Sequence, residues 1–155
     1  MVYFCQVTTS FMKQKSCYIL AIESSCDDTA AAVLFNNKVL SNCVTNQEIH
    51  NQYGGVVPEL ASRAHQINII PVVDRALRLA KIKKNQLSAI AFTQGPGLLG
   101  SLLVGASFSK SMAMGLKIPI IGIHHMQAHI LANFIDEKNQ KIPEFPFIGV
   151  NISGG

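Results

Sequence analysis

Residues 17–45 read CYILAIESSCDDTAAAVLFNNKVLSNCVT. The apolar run Cys17–Glu23 predicts a strand, Ser24–Asp28 a polar turn, and Thr29–Phe35 a second strand of small apolar residues. Asn36-Asn37 reads as a hairpin turn, since asparagine tolerates the left-handed backbone that such turns require. Lys38–Thr45 then predicts a third strand, so the segment reads as a three-stranded meander.

Beyond the meander the period changes. Gly54-Gly55 is a turn, and Pro58 suits the first turn of a helix. Leu60, Ala64, Ile67, Ile70, Val73, Leu77 and Ala80 keep a helical spacing to about Lys81. Pro71 falls inside that pattern and predicts a kink or break near Ile70. Ser88–Thr93 reads as a fourth strand, Gly97–Leu116 as a mostly apolar helix and Pro119–Ile123 as a fifth strand. His125–Phe134 is a further helix, Asp136–Pro143 a polar connection, and Phe145–Ile152 a last strand. The order βββαβαβα, then β, predicts an α/β fold: a mixed sheet with helices on its faces. That pattern fits the ribonuclease-H-like lobe of the actin and sugar-kinase ATPases, the ASKHA fold, in which ligands sit beyond the carboxyl ends of strands.

Composition narrows the class. Of 155 residues, 48% are hydrophobic and 14% charged, which excludes intrinsic disorder. No apolar run is long enough to span a membrane. The net charge of +4 is uneven: residues 75–135 hold seven cations (Arg75, Arg78, Lys81, Lys83, Lys84, Lys110 and Lys117) and no acid. Such a stretch suits a surface that attracts phosphate or nucleic acid. Equally, Lys81, Lys83 and Lys84 suit a helix C-terminus, where cations complement the dipole; charge alone does not choose. Cys5, Cys17, Cys26 and Cys43 show no C-x-x-C pairing and no signal-peptide core precedes them, which points to reduced thiols and a cytoplasmic protein. Cys26 beside Asp27 and Asp28 is expected to have a raised thiol pKa, a poor setting for a nucleophile. Residues 1–16 have no clear period and read as a poorly ordered extension, with Met12 a plausible start.

Three loops carry candidate chemistry. Gly95-Pro96-Gly97-Leu98-Leu99-Gly100 spells G-x-G-x-x-G between strand and helix. A dinucleotide site would place an acid about twenty residues later, whereas the next acid is Asp136, and Pro96 lacks an N–H for a phosphate cradle. What remains is a tight turn that lets the following helix, with Gly105, approach the sheet closely. In the turn Glu23–Thr29, hydroxyls and amides can hold phosphate oxygens, and Asp27 or Asp28 can serve as a base or orient a water; a plain turn with satisfied backbone is the competing reading. The third loop, His124-His125-Met126-Gln127-Ala128-His129, is the most specific. On a helix His125 and His129 stand at i and i+4 and suit two imidazole ligands of one metal, while His124 ends the strand. H-E-x-x-H is absent, so a metallopeptidase lacks its general base here.

Together these blocks resemble the TsaD family, once described as glycoproteases. The resemblance runs from about Tyr18 to Gly155 and rests on ESSCDDT at 23–29, HNQYGGVVPELASRAH at 50–65, QGPGLLGSLLVG at 94–105, and the stretch 110–130 ending HHMQAHI. It implies transfer of a threonylcarbamoyl group from threonylcarbamoyl-AMP to the adenosine beside the anticodon of tRNA, with TsaB- and TsaE-type subunits as partners. It implies His125 and His129 as metal ligands, with iron, Fe(2+), as the metal and a third ligand, an aspartate, beyond Gly155. It implies Asn151, Ile152, Ser153, Gly154 and Gly155 as an adenylate-binding loop, and places Asp27 and Asp28 near the active site. Family members are about twice as long and have two lobes. The expected organisation is therefore an extension at 1–16, a first actin-like lobe at 17–143, and the start of a truncated second lobe at 144–155. A non-catalytic scaffold lobe is the alternative reading.

Overall fold

The computed structural model describes residues 17–47, 50, 52–135 and 143–152. The expected extension 1–16, most of the polar connection and Ser153–Gly155 lie outside the described residues. The meander forms as β1 (Tyr18–Glu23), β2 (Thr29–Phe35) and β3 (Lys38–Thr45). Asn36, at φ 53°, makes the left-handed turn between β2 and β3, and its N–H donates to the Cys17 carbonyl at 3.0 Å. The β1–β2 register sets Tyr18 opposite Phe35, with ring centroids 4.8 Å apart.

Two α/β steps follow, α1 (Pro58–Leu79) into β4 (Ala89–Gly95) and α2 (Leu99–Leu116) into β5 (Ile120–His124), and then a third helix, α3 (His125–Leu131). The sheet order is β3-β2-β1-β4-β5, antiparallel through β1 and parallel from β1 to β4 to β5. A mixed α/β sheet in the order βββαβαβα is thus observed. Because β1, β4 and β5 are parallel, Glu23, Gly95 and His124 end on one edge of the sheet, as do the starts of α2 and α3. That edge carries the candidate site.

Leu20 and Ile22 of β1, Ala31 and Val33 of β2, and Ile90 of β4 form the core with Ile69, Val72, Val73 and Ala76 of α1. Burying each of these leucine, isoleucine and valine side chains contributes roughly 1.5–3 kcal/mol. Both long helices lie on this face. On the other face Ala21, Ala30, Ala32, Ala91 and Ile123 line a shallow apolar cleft of about 220 Å³ together with Ala128 of α3.

Three expectations are corrected. Pro71 does not break α1, which runs unbroken for 22 residues. A proline deletes one ladder hydrogen bond, and the buried residues Ile69, Val72 and Val73 on either side of it are pressed onto the sheet, which holds the axis. The buried stripe is Ala61, His65, Ile69, Val72, Val73 and Ala76, displaced from the expected one; Ile67 is 74% and Ile70 64% exposed. Small Ala61 and Ala76 and a hydrogen-bonded histidine allow close approach, so fit outweighs hydropathy in choosing the face. Finally, Phe145–Ile152 forms no strand. A strand needs a ladder partner, and no described strand lies beside it; Ile148 and Ile152 are 92% and 91% exposed. Phe145 and Phe147 instead stack with Phe134 at centroid distances of 5.5 and 5.2 Å.

Helix α2 buries Ser101, Gly105, Ser109 and Ala113, a stripe of small residues four apart. A Cβ on Gly105 would collide with Ser24 Oγ, and one on Gly97 with the Ser25 backbone, so the glycine-rich turn serves close packing against the Glu23–Thr29 corner. Leu98 N–H donates to the Ser25 carbonyl at 2.7 Å and Ser24 Oγ to the Ser101 carbonyl at 2.9 Å, stitching the two loops together.

Candidate metal centre

Each wall of the site comes from a different strand end. The turn after β1 buries Ser24, whose hydroxyl points into the joint with α2, and Ser25, whose hydroxyl faces α3. His65 of α1, fully buried, receives the Thr29 hydroxyl at Nδ1 (2.8 Å) and donates from Nε2 to the Cys26 carbonyl (3.0 Å), which fixes the outer half of the turn. His124 is exposed and ends β5, as expected, and the chain turns directly into α3. The helix is α-helical only to Leu131, with a 3-10 turn over Ala132–Phe134.

On α3, His125 and His129 share a face at the i, i+4 spacing. Their Nε2 atoms are 3.0 Å apart, with ring centroids 4.6 Å apart and planes at 85°. Two nitrogens held ~2.1 Å from one metal ion at about a right angle stand about 3 Å apart, so this pair fits two neighbouring positions of a metal. Imidazole donors suit iron and other first-row transition metals. No group of three or more His, Cys, Asp or Glu that could hold a metal ion stands together among the described residues.

Glu23, at the end of β1, is the neighbour that reading the sequence missed. Its Oε2 lies 3.2 Å from His125 Nδ1 across 102 positions of chain, and Ser25 Oγ lies 3.3 Å from the same nitrogen. Thr93 Oγ1 donates to Glu23 Oε2 and the Ser25 N–H to Oε1. Burial acts to raise the Glu23 pKa, but the hydrogen bonds from Ser25, Thr93 and His125 outweigh it and hold the carboxyl below its ordinary range. No spacing rule links Glu23 to His125; only the parallel pairing of β1, β4 and β5 joins them.

Asp27 is half-buried and Asp28 exposed on the same turn, and neither is hydrogen-bonded to His125 or His129 among the described residues. Partial burial, then the charge of Asp27, raises the Asp28 pKa. Burial, then the hydrogen bond and charge of Asp27, pushes the Cys26 thiol up, which agrees with the expectation that Cys26 is no nucleophile. Asn151 and Ile152 meet His129, Ile130, Asn133 and Phe147 around a cleft of about 590 Å³, so two residues of the expected loop share a cavity with one histidine. Ser153, Gly154 and Gly155 lie outside the described residues. The seven cations of the acid-free stretch are all exposed. Arg75, Arg78, Lys81, Lys83, Lys84 and Lys117 sit where the parallel strands begin, the edge opposite the histidines; Arg78 pairs with Asp74 at 2.9 Å. No described helix is long and apolar enough to cross a membrane.

A family profile for TsaD, tRNA N6-adenosine threonylcarbamoyltransferase, matches residues 38–155. The tRNA N6-adenosine threonylcarbamoyltransferase of Christiangramia forsetii is 66% identical over 144 residues, 93% of this chain and 42% of that protein. Its namesake in Riemerella anatipestifer is 60% identical over 141 residues, 91% of this chain and 41% of that protein. The chain thus spans about two fifths of the length of the curated relatives it matches. Among solved structures, YeaZ from Pseudomonas aeruginosa superposes with a TM-score of 0.56 at 20% identity, over 76% of this chain and 48% of that one, a likeness of fold.

Proposed function

The chain belongs to the TsaD family, and from that premise we propose that the protein carrying it is a tRNA N6-adenosine threonylcarbamoyltransferase. The N6 amine of the adenosine beside the anticodon attacks the acyl carbon of threonylcarbamoyl-AMP; a C–N bond forms, the C–O bond to phosphate breaks, and AMP leaves. The observation that carries this reading is the imidazole pair, with Nε2 atoms 3.0 Å apart, one of which, His129, lines a cleft with Asn151 and Ile152.

His125 and His129 are two ligands of the metal, and a third, an aspartate, is assigned outside these 155 residues. Bound there, one Fe(2+) per subunit supplies a Lewis acid for the acyl carbonyl. Asn151, Ile152, Ser153, Gly154 and Gly155 hold the adenylate, because amides of a Ser-Gly-Gly run approach phosphate or carboxylate without side chains in the way. Asp27 and Asp28 are the acceptors assigned to the amine proton; the raised Asp28 pKa suits a base. Residues 17–143 act as a first lobe and 144–155 open a second. TsaB- and TsaE-type subunits are the partners, and the exposed cations hold tRNA backbone at a distance from the reacting adenosine.

The test supplies the purified protein with threonylcarbamoyl-AMP, iron(II), tRNA and the partner subunits, and measures modified adenosine by mass spectrometry. Modification that disappears in His125→Ala is expected; no modification in the intact assembly ends the proposal. A second reading is a non-catalytic scaffold lobe. Modification that persists in both His125→Ala and His129→Ala would select it.

A further inference from the structure

We infer that Glu23 is a positioning residue that fixes His125 in its Nδ1–H tautomer and so presents the Nε2 lone pair toward His129. An ionised carboxylate only accepts hydrogen bonds, so the hydrogen in the 3.2 Å contact belongs to His125 Nδ1. A neutral imidazole with its hydrogen on Nδ1 has a bare Nε2. That nitrogen faces His129 Nε2 at 3.0 Å, so without metal the His129 Nε2–H donates to it. The polarity then runs one way, from His129 to His125 to Glu23. Ser25 Oγ, 3.3 Å from Nδ1, is compatible because a hydroxyl can turn to accept.

Glu23 is itself pinned. Its Oε2 accepts from Thr93 and its Oε1 from the Ser25 N–H, so the carboxylate is tied to the ends of β1 and β4, and its aim follows from the parallel pairing of those strands. Carboxylate partners of this kind raise the basicity of a ligating imidazole, and their loss typically costs roughly 10–100-fold in metal affinity. The inference rests on the metal-site reading above for its purpose, but the tautomer stands on the geometry alone.

Long-range 1H–15N spectra of the 155-residue chain at about pH 8, where an ordinary imidazole is neutral, read the tautomer directly. The expected wild-type result is a protonated Nδ1 and bare Nε2 on His125; the hydrogen on Nε2 instead overturns the inference without any variant. In folded Glu23→Gln the His125 tautomer is expected to shift toward Nε2–H, and Co2+ titration to show affinity about 10–100-fold lower. A strut between strands would leave the tautomer alone, so an unchanged tautomer in Glu23→Gln also overturns it. Failure of the intact assembly to modify tRNA, with the tautomer as expected, sinks the proposed function and leaves the role of Glu23 standing.

Discussion

The imidazole of His65, fully buried on α1, lies 2.8 Å from the hydroxyl of Thr29 at the start of β2. With the 3.0 Å bond from its Nε2 to the Cys26 carbonyl, this contact uses both ring nitrogens and anchors the turn that carries Asp27 and Asp28. His65→Ala would leave Thr29 Oγ1 without its partner beside a cavity, and the Cys26 carbonyl with Ser101 Oγ (3.1 Å) alone. A loss of about 2–4 kcal/mol is expected from the cavity and the orphaned hydroxyl together. Urea titration checks it; a loss below about 0.5 kcal/mol would mean that the ring is not holding the corner.

Gly105 and Ser24 should be energetically coupled. Alanine at 105 gains up to ~1 kcal/mol of helix propensity, but its Cβ collides with Ser24 Oγ, an overpacking that costs about 1–3 kcal/mol. Gly105→Ala is therefore expected to destabilise the wild type and to be neutral or stabilising in a Ser24→Ala background. Additive effects in the double-mutant cycle would refute the contact.

Asp28 is an acid whose pKa is raised in the folded protein above its reference value of 3.8. Its ionisation therefore opposes folding at neutral pH, and that cost fades as pH falls through the folded pKa toward the unfolded one. Asp28→Asn should be the more stable protein at pH 7, with the advantage gone near pH 3, where the carboxyl is protonated in both states. Equal midpoints of the two proteins at pH 7 would contradict this.

Pro71 is exposed and interior to α1, where proline costs ~3 kcal/mol relative to alanine. Its restriction of the unfolded chain returns roughly 0.4–1 kcal/mol. Pro71→Ala is expected to raise stability by about 2–2.6 kcal/mol and to leave the near-ultraviolet spectrum unchanged. A fall in stability would show that the helix depends on the proline.

Much of the fold was legible before the structure, and the places where it was not share a cause. The meander at 17–45 and the order βββαβαβα were readable because strand alternation, Asn-Asn turns and helical spacing are local. The buried face of α1 was misread by hydropathy, because Ile67 and Ile70 are left outside while Ala61 and His65 go in. Phe145–Ile152 was misread as a strand, because a strand is defined by a neighbour that sequence does not name.

The i, i+4 spacing on one short helix by itself determined that His125 and His129 face each other, because the geometry of a helix is set over four residues. The glycines at 97, 100 and 105 likewise announced a close approach without naming its object. Only the tertiary structure decided that Ser24, Ser25 and Ser62 are what those glycines meet. It alone brought Glu23 and Thr93 to His125, because their meeting depends on the parallel pairing of β1, β4 and β5, which puts three distant strand ends on one edge. The same pairing moved the cations following α1 to the opposite edge. Local spacing specified the histidine pair, and strand order specified what stands beside it.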